Sequence, residues 1–115
     1  MKKLISALLL AVALPFAAAQ APAAKVDASA AIEKVDPSGR FQKMHASFLA
    51  RGKSGPIGVL FLGDSITQGW TNAPHIWEHY YGGYQPANFG IGGDQTQHVI
   101  WRIQNGELDG IKPKV

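Results

Sequence analysis

Cysteine is absent from this chain, charge is scarce, and no apolar run is long enough to span a bilayer comfortably. Without cysteine there is no disulfide framework, no thiolate metal site and no thiol nucleophile. Charged residues are 17% of the 115 residues, which is too few for an interaction tail, and 10% aromatics argue against wholesale disorder. The histidines, His45, His75, His79 and His98, show no HExxH or other recognised ligand spacing, so no metal is implied. His75 and His79, four apart on an expected helix, read as surface residues, and His98 as structural. The length allows at most one domain.

What is present begins with a three-part leader. Met1-Lys2-Lys3 is basic, Leu4 to Phe16 is apolar apart from Ser6 and Pro15, and Ala17-Ala18-Ala19 offers a small-residue cleavage site. Residues 1–19 therefore read as a secretory signal peptide, which predicts a secreted or periplasmic protein with no stable membrane span after cleavage. Removing Lys2 and Lys3 takes most of the formal +3 charge with them, so no nucleic-acid partner is expected. Residues 20–36 are Ala-rich and read as a tail or linker with at most a weak helix. Residues 37–115 read as the N-terminal part of a globular domain.

Asp36-Pro37 is a good helix start, because Asp caps and Pro is tolerated at the first helical position. Phe41, Met44, His45, Phe48 and Leu49 then recur at helical spacing up to Arg51-Gly52. Ile57–Leu62 is a continuous apolar run closed by Gly63-Asp64, which predicts a strand buried on both faces. A helical stretch within Ile66–Tyr80 is interrupted by Pro74, with Trp70, Ile76, Trp77 and Tyr80 as candidates for burial. Gln85–Phe89 reads as a second strand, Gly90–Asp94 as a loop, and Gln95–Gln104 as a helix. That last helix is expected to bury Val99, Ile100 and Ile103 and to expose Gln97, Arg102 and Gln104. Lys112–Val115 looks like the start of another strand. Strand and helix alternate as in an open α/β fold with a parallel sheet.

In such a sheet, ligands bind where each strand hands over to its helix. The two handover loops are Gly63-Asp64-Ser65 and Gly90-Ile91-Gly92-Gly93-Asp94, and on neighbouring strands they face one pocket. A serine at such a turn presents its hydroxyl outward, and glycines let backbone N–H groups approach the same point. Those parts suit acyl transfer. Gly-Asp-Ser is also a common turn whose Ser usually caps the helix. Thr67 stands where the α/β-hydrolase elbow needs Gly, Gln95 stands where a dinucleotide loop needs its third Gly, and no P-loop is present.

Taken together, Val59–Thr67 resembles the first block of the SGNH (GDSL-type) hydrolases, and Asn88–Asp94 resembles their second block. Thr96–Leu108 is similar to the segment that follows in platelet-activating-factor acetylhydrolase catalytic subunits and their bacterial relatives. The resemblance implies a flavodoxin-like three-layer α/β/α sandwich, present here through about two strands, and ester hydrolysis with neither metal nor organic cofactor. It implies Ser65 as nucleophile and the N–H groups of Ser65 and Gly93 as oxyanion donors, with Asp64, Asn88 and Asp94 shaping the loops. The expected substrate is a small acyl ester, and the leader suggests an extracytoplasmic one such as an acetylated glycan or a lipid ester. The family's Gly-x-Asn-Asp and Asp-x-x-His blocks have no counterpart in residues 1–115, and none of the histidines matches the catalytic one. These residues alone are therefore expected to be inactive. A different class, a secreted non-catalytic module that holds a carbohydrate or acyl group, uses the same loops.

Overall fold

The computed structural model describes residues 23–115. The leader read at residues 1–19 and the first residues of the Ala-rich stretch lie outside the described residues. Residues 23–36 carry no helix; their one turn is closed by Ala30 N–H donating to Asp27 O at 3.2 Å. The elements that follow are α1 (Arg40–Lys53), β1 (Val59–Gly63), the short α2 (Ser65–Gln68), α3 (Pro74–Tyr81), β2 (Pro86–Gly90) and α4 (Thr96–Arg102). Single 3₁₀ turns join α2 to α3 and α3 to β2, and a wider turn, Ile103–Glu107, follows α4.

The two strands pair in parallel, with Leu60 opposite Ala87 and Gly63 opposite Gly90. Alternation along β1 sends neighbouring side chains to opposite faces. Leu60 and Leu62 pack with Phe41, Phe48, Ala87 and Phe89 beneath α1, where Phe48 stacks on Phe89 at 4.6 Å between ring centres. Phe61 points the other way, into Trp77 and Tyr81 of α3, each 4.8 Å away. Helices therefore cover both faces of a parallel sheet, which is the α/β class expected from the sequence. Truncating one of the buried phenylalanines removes both transfer energy and packing, at a cost of about 3–5 kcal/mol.

Several local expectations move. The first helix begins at Arg40, not at Asp36-Pro37, yet Asp36 still caps it from outside: its carboxylate accepts from Phe41 N–H at 2.8 Å and from Ser38. Those bonds hold the Asp36 carboxyl below the usual carboxylate range, the Ser38 hydroxyl first and the Phe41 N–H second. The first strand is Val59–Gly63 and half-buried, whereas the apolar run predicted Ile57–Leu62 with both faces covered. Along its other edge, Lys114 N–H donates to Gly58 O at 2.8 Å and Leu60 N–H to Val115 O at 2.8 Å, so Lys114 and Val115 begin to pair in the same direction.

Pro74 does divide the second helical stretch, sitting in the first turn of α3. Ile76 and Tyr80 are exposed, against expectation. Tyr81 takes the inward place instead, because the aromatic cluster forms around Phe61, Trp70 and Trp77. The second strand starts at Pro86, since Gln85 adopts a left-handed backbone (φ 52°) that ends the preceding turn. Helix α4 is the largest correction: Gln97 and Arg102, expected in solvent, are buried at 4% and 0% exposure.

Candidate active site at the carboxyl ends of the strands

Both loops open helices, α2 after β1 and α4 after β2, and strand pairing sets them side by side. A Cβ placed on Gly92 would sit 3.7 Å from the Ser65 Cβ. Closeness at the base of the loops depends on Gly90, where any side chain would collide with the backbone of Thr67 and Gln68 at the end of α2. Ile91 N–H donates to Gly63 O at 3.1 Å, carrying the ladder one step past β2.

Ser65 is the first residue of α2 and is exposed. The cap of that helix is Asp64, whose Oδ1 accepts from Ile66 N–H at 2.9 Å. The ordinary role for a turn serine is thus already filled by its neighbour, and among the described residues the Ser65 hydroxyl makes no hydrogen bond. The N–H groups of Ser65 and Gly93 likewise donate to no acceptor among the described residues. One unengaged hydroxyl and two unengaged N–H groups therefore stand at the mouth of the paired strands.

The other N–H groups of the second loop are engaged, Ile91 on Gly63 O and Asp94 on Ile91 O among them. Asn88 spans the base, with Oδ1 accepting from Gly90 N–H at 2.9 Å and Nδ2 donating to Thr67 O at 2.9 Å. Gly92 N–H donates to Gln68 Oε1 at 2.8 Å, and Arg40 donates to that same oxygen at 2.7 Å. Gly93 turns left-handed (φ 76°), and Lys34 Nζ lies 3.1 Å from the place a Cβ would take there. The space beside the bare Cα of Gly93 thus holds an ammonium group. Lys34 also donates to Gly92 O at 2.8 Å and meets Asp94 Oδ1 at 3.3 Å.

Beneath the loop lies an ionic cluster that sequence reasoning missed. Arg102 donates from Nη2 to Gly63 O at 3.0 Å and from Nη1 to Phe89 O at 2.9 Å, tying the carboxyl ends of both strands to α4. Nη1 also meets Glu107 Oε2 at 2.9 Å, and Nε lies 3.0 Å from Asp94 Oδ2 with its N–H turned off the line to that oxygen. His45 Nδ1 closes the chain on Glu107 Oε1 at 2.8 Å. Burial pushes the Glu107 carboxyl above its ordinary range, against the opposing pull of His45 and Arg102. The signal in the sequence was the pairing of Arg102 with Glu107 across a turn, on a helix whose apolar side already seemed complete.

His98 is structural, as read: its Nδ1 accepts from Gln95 N–H at 2.9 Å in a reciprocal cap of α4. Burial holds its pKa below the ordinary value. His75 and His79 are exposed on α3. None of the histidines hydrogen-bonds Ser65 among the described residues. Asp64, Asp94, Gln95, Thr96 and Gln97 line an open cavity of about 410 Å³ at the loop mouth, roofed by Val26 and Ala28. Neither this cavity nor a more apolar groove of similar size, beside β2 and between α1 and α3, is lined by Ser65 or Gly93. Among the described residues no helix is long and apolar enough to cross a membrane.

No family model matches the chain. It is similar to platelet-activating factor acetylhydrolase IB subunit alpha1 of Rattus norvegicus and of Homo sapiens, at 42% identity over 84 residues, covering 73% of this chain and 36% of theirs. Subunit alpha2 of Homo sapiens is 42% identical over 85 residues, covering 74% of this chain and 37% of its own length. The chain thus spans little more than a third of the length of the curated relatives it matches. At this identity the chain and these acetylhydrolase subunits are homologous.

Proposed function

We propose that this chain is the nucleophile-bearing part of a GDSL-type (SGNH) serine esterase that acts on small acyl esters, acetyl above all. The observation that carries the reading is the unengaged Ser65 hydroxyl beside the unengaged N–H groups of Ser65 and Gly93, at the carboxyl ends of two parallel strands. Homology to proteins named acetylhydrolases supports the same class of chemistry. Ser65 Oγ would attack the acyl carbonyl, and the developing oxyanion would be met by the two N–H groups, which have no hydrogen bond among the described residues to give up first. Acylation also needs a base to take the Ser65 proton, since a free serine hydroxyl is a weak nucleophile. Among the described residues none of the four histidines hydrogen-bonds Ser65, and the family resemblance implies that the base comes from an Asp-x-x-His block. The leader-like Met1–Ala19 supports an extracytoplasmic setting, secreted or periplasmic, with an acetylated glycan or a lipid ester as substrate.

The test uses a fluorophosphonate, which labels an activated serine covalently. Native-length protein should be labelled, and Ser65→Ala should abolish both label and p-nitrophenyl acetate turnover, the latter by about 10⁴-fold or more, with folding intact. Labelling that persists in Ser65→Ala removes Ser65 from the chemistry. No labelling of the wild type favours the non-catalytic module that holds an acyl or carbohydrate group.

A further inference from the structure

Two consecutive glycines make a poor support for a catalytic N–H. Neither Gly92 nor Gly93 has a side chain to restrict its backbone, so the peptide between them can rotate at little steric cost. That peptide carries the Gly93 N–H. The bond within the turn, Asp94 N–H on Ile91 O at 3.2 Å, is compatible with either orientation of that peptide, so its plane is fixed by contacts from elsewhere. The Gly92 N–H, one peptide earlier, is held by Gln68. The carbonyl of the Gly92–Gly93 peptide itself accepts from Lys34 Nζ at 2.8 Å. Every peptide bond among the described residues is trans, so the Gly92 C=O and the Gly93 N–H point to opposite sides of one plane. An ammonium group on the oxygen thus turns the N–H away from itself.

We propose that Lys34 is a positioning residue for the Gly93 N–H, acting through the Gly92 carbonyl; the inference rests on the esterase reading above. Lys34 does two things at that peptide. Its charge-assisted hydrogen bond fixes the plane, and it draws electron density toward the carbonyl oxygen, making the N–H on the far side a stronger donor. Asp94 holds the ammonium group in place at 3.3 Å and is itself anchored on buried Arg102. The segment that carries Lys34 is docked near the site: Ile32 N–H donates to Gln97 O at 3.1 Å, and Gln42 donates to Glu33 at 2.8 Å. The stretch read as a tail from its composition thereby supplies a residue to the active-site loop.

The experiment compares Lys34→Met and Lys34→Arg with wild type in native-length protein. It reads kcat and KM for p-nitrophenyl acetate, the rate of fluorophosphonate labelling, and the Gly93 amide resonance by NMR. Loss of an oxyanion donor costs about 10²–10³-fold, so loosening one should lower kcat and the labelling rate about 10-fold in Lys34→Met. KM should stay unchanged, Lys34→Arg should recover most of the loss, and the Gly93 resonance should move in the Met variant. A Met variant that labels at the wild-type rate with the Gly93 resonance unmoved overturns the role of Lys34 and leaves the esterase reading standing. So does a change in KM alone, or a loss that Arg fails to restore and that tracks a lowered melting temperature. Absence of Ser65-dependent labelling in the wild type overturns the esterase reading, and the catalytic role of Lys34 with it.

Discussion

The turn that presents Ser65 is closed from within: Asp64 accepts from Ile66 N–H two residues on, and Gln68 N–H returns to Asp64 O at 2.9 Å. The turn that presents Gly93 is closed by Asp94 N–H on Ile91 O at 3.2 Å, but its two glycine peptides are held from without, by Gln68 at a separation of 24 residues and by Lys34 at 58, with Arg102 beneath. The first loop survives on chain-local chemistry that any Asp-Ser helix start can form. The second has two adjacent glycines at the centre of its turn, and the local bond from Asp94 N–H to Ile91 O leaves the peptide between them free to flip, so the plane of that peptide is a property of the packed molecule. A nucleophile needs only to be presented, whereas an oxyanion donor must be aimed. On the esterase reading proposed above, the difference in wiring follows that difference in task.

The comparison breaks most sharply at Arg102. Replacing it by Met leaves Asp94 and Glu107 buried without their shared cation, and breaking a buried pair of this kind costs about 3–5 kcal/mol. A denaturant titration should show that loss; a midpoint within error of wild type would mean that the cluster carries no stability. At Gly93, substitution by Val demands a left-handed backbone from a β-branched residue and crowds Lys34, so kcat should fall by about 10²–10³-fold, the scale of losing one donor. Normal turnover in a folded Gly93→Val protein would leave that glycine as a turn residue only.

The first loop should give way more gently. Asp64→Ala removes the cap of a short helix, which typically costs about 1 kcal/mol. A stability loss matching that of Arg102→Met would erase the distinction between the loops. The smallest effect concerns pH. His98 is held below the ordinary histidine value of 6.5, first by burial, so its contribution to stability is complete above 6.5 and is lost as pH falls through the folded-state pKa. Protonation of Nδ1 removes the acceptor for Gln95 N–H. Melting temperatures below pH 6.5 should therefore fall less steeply in His98→Ala than in wild type, from a lower starting value.

Much of this molecule is local enough to be read along the chain. The stripe from Phe41 to Leu49 gives α1, Pro74 divides the second helical stretch, and the β1 apolar run ends at Gly63 where the Ser65 loop begins. Errors appear where burial depends on what arrives from elsewhere. Gln97 is covered by the segment around Ile32, whose alanine-rich composition carries no sign of docking. Arg102 is buried because two strand-end carbonyls and two carboxylates converge on it. A hydropathy pattern assigns arginine to solvent, since it has no means of registering partners brought together by folding.

By itself the sequence determined the alternation of strands and helices, the place of both loops, and the two residue types, Ser65 and Gly93, that can supply a hydroxyl and a bare N–H at one point. Those features rest on hydrophobic periodicity and on the backbone chemistry of Asp, Pro and Gly, which act over a few residues. Only the tertiary structure decided that Gln97 and Arg102 are buried. It also decided that the Gly92–Gly93 peptide is gripped by Lys34 and Arg102 sits at the centre of the site's foundations. The reason is physical: a hydrogen bond between residues 34 and 92 has no local pattern in the chain, and comes into being when a parallel sheet sets two loops side by side and a distant segment crosses them.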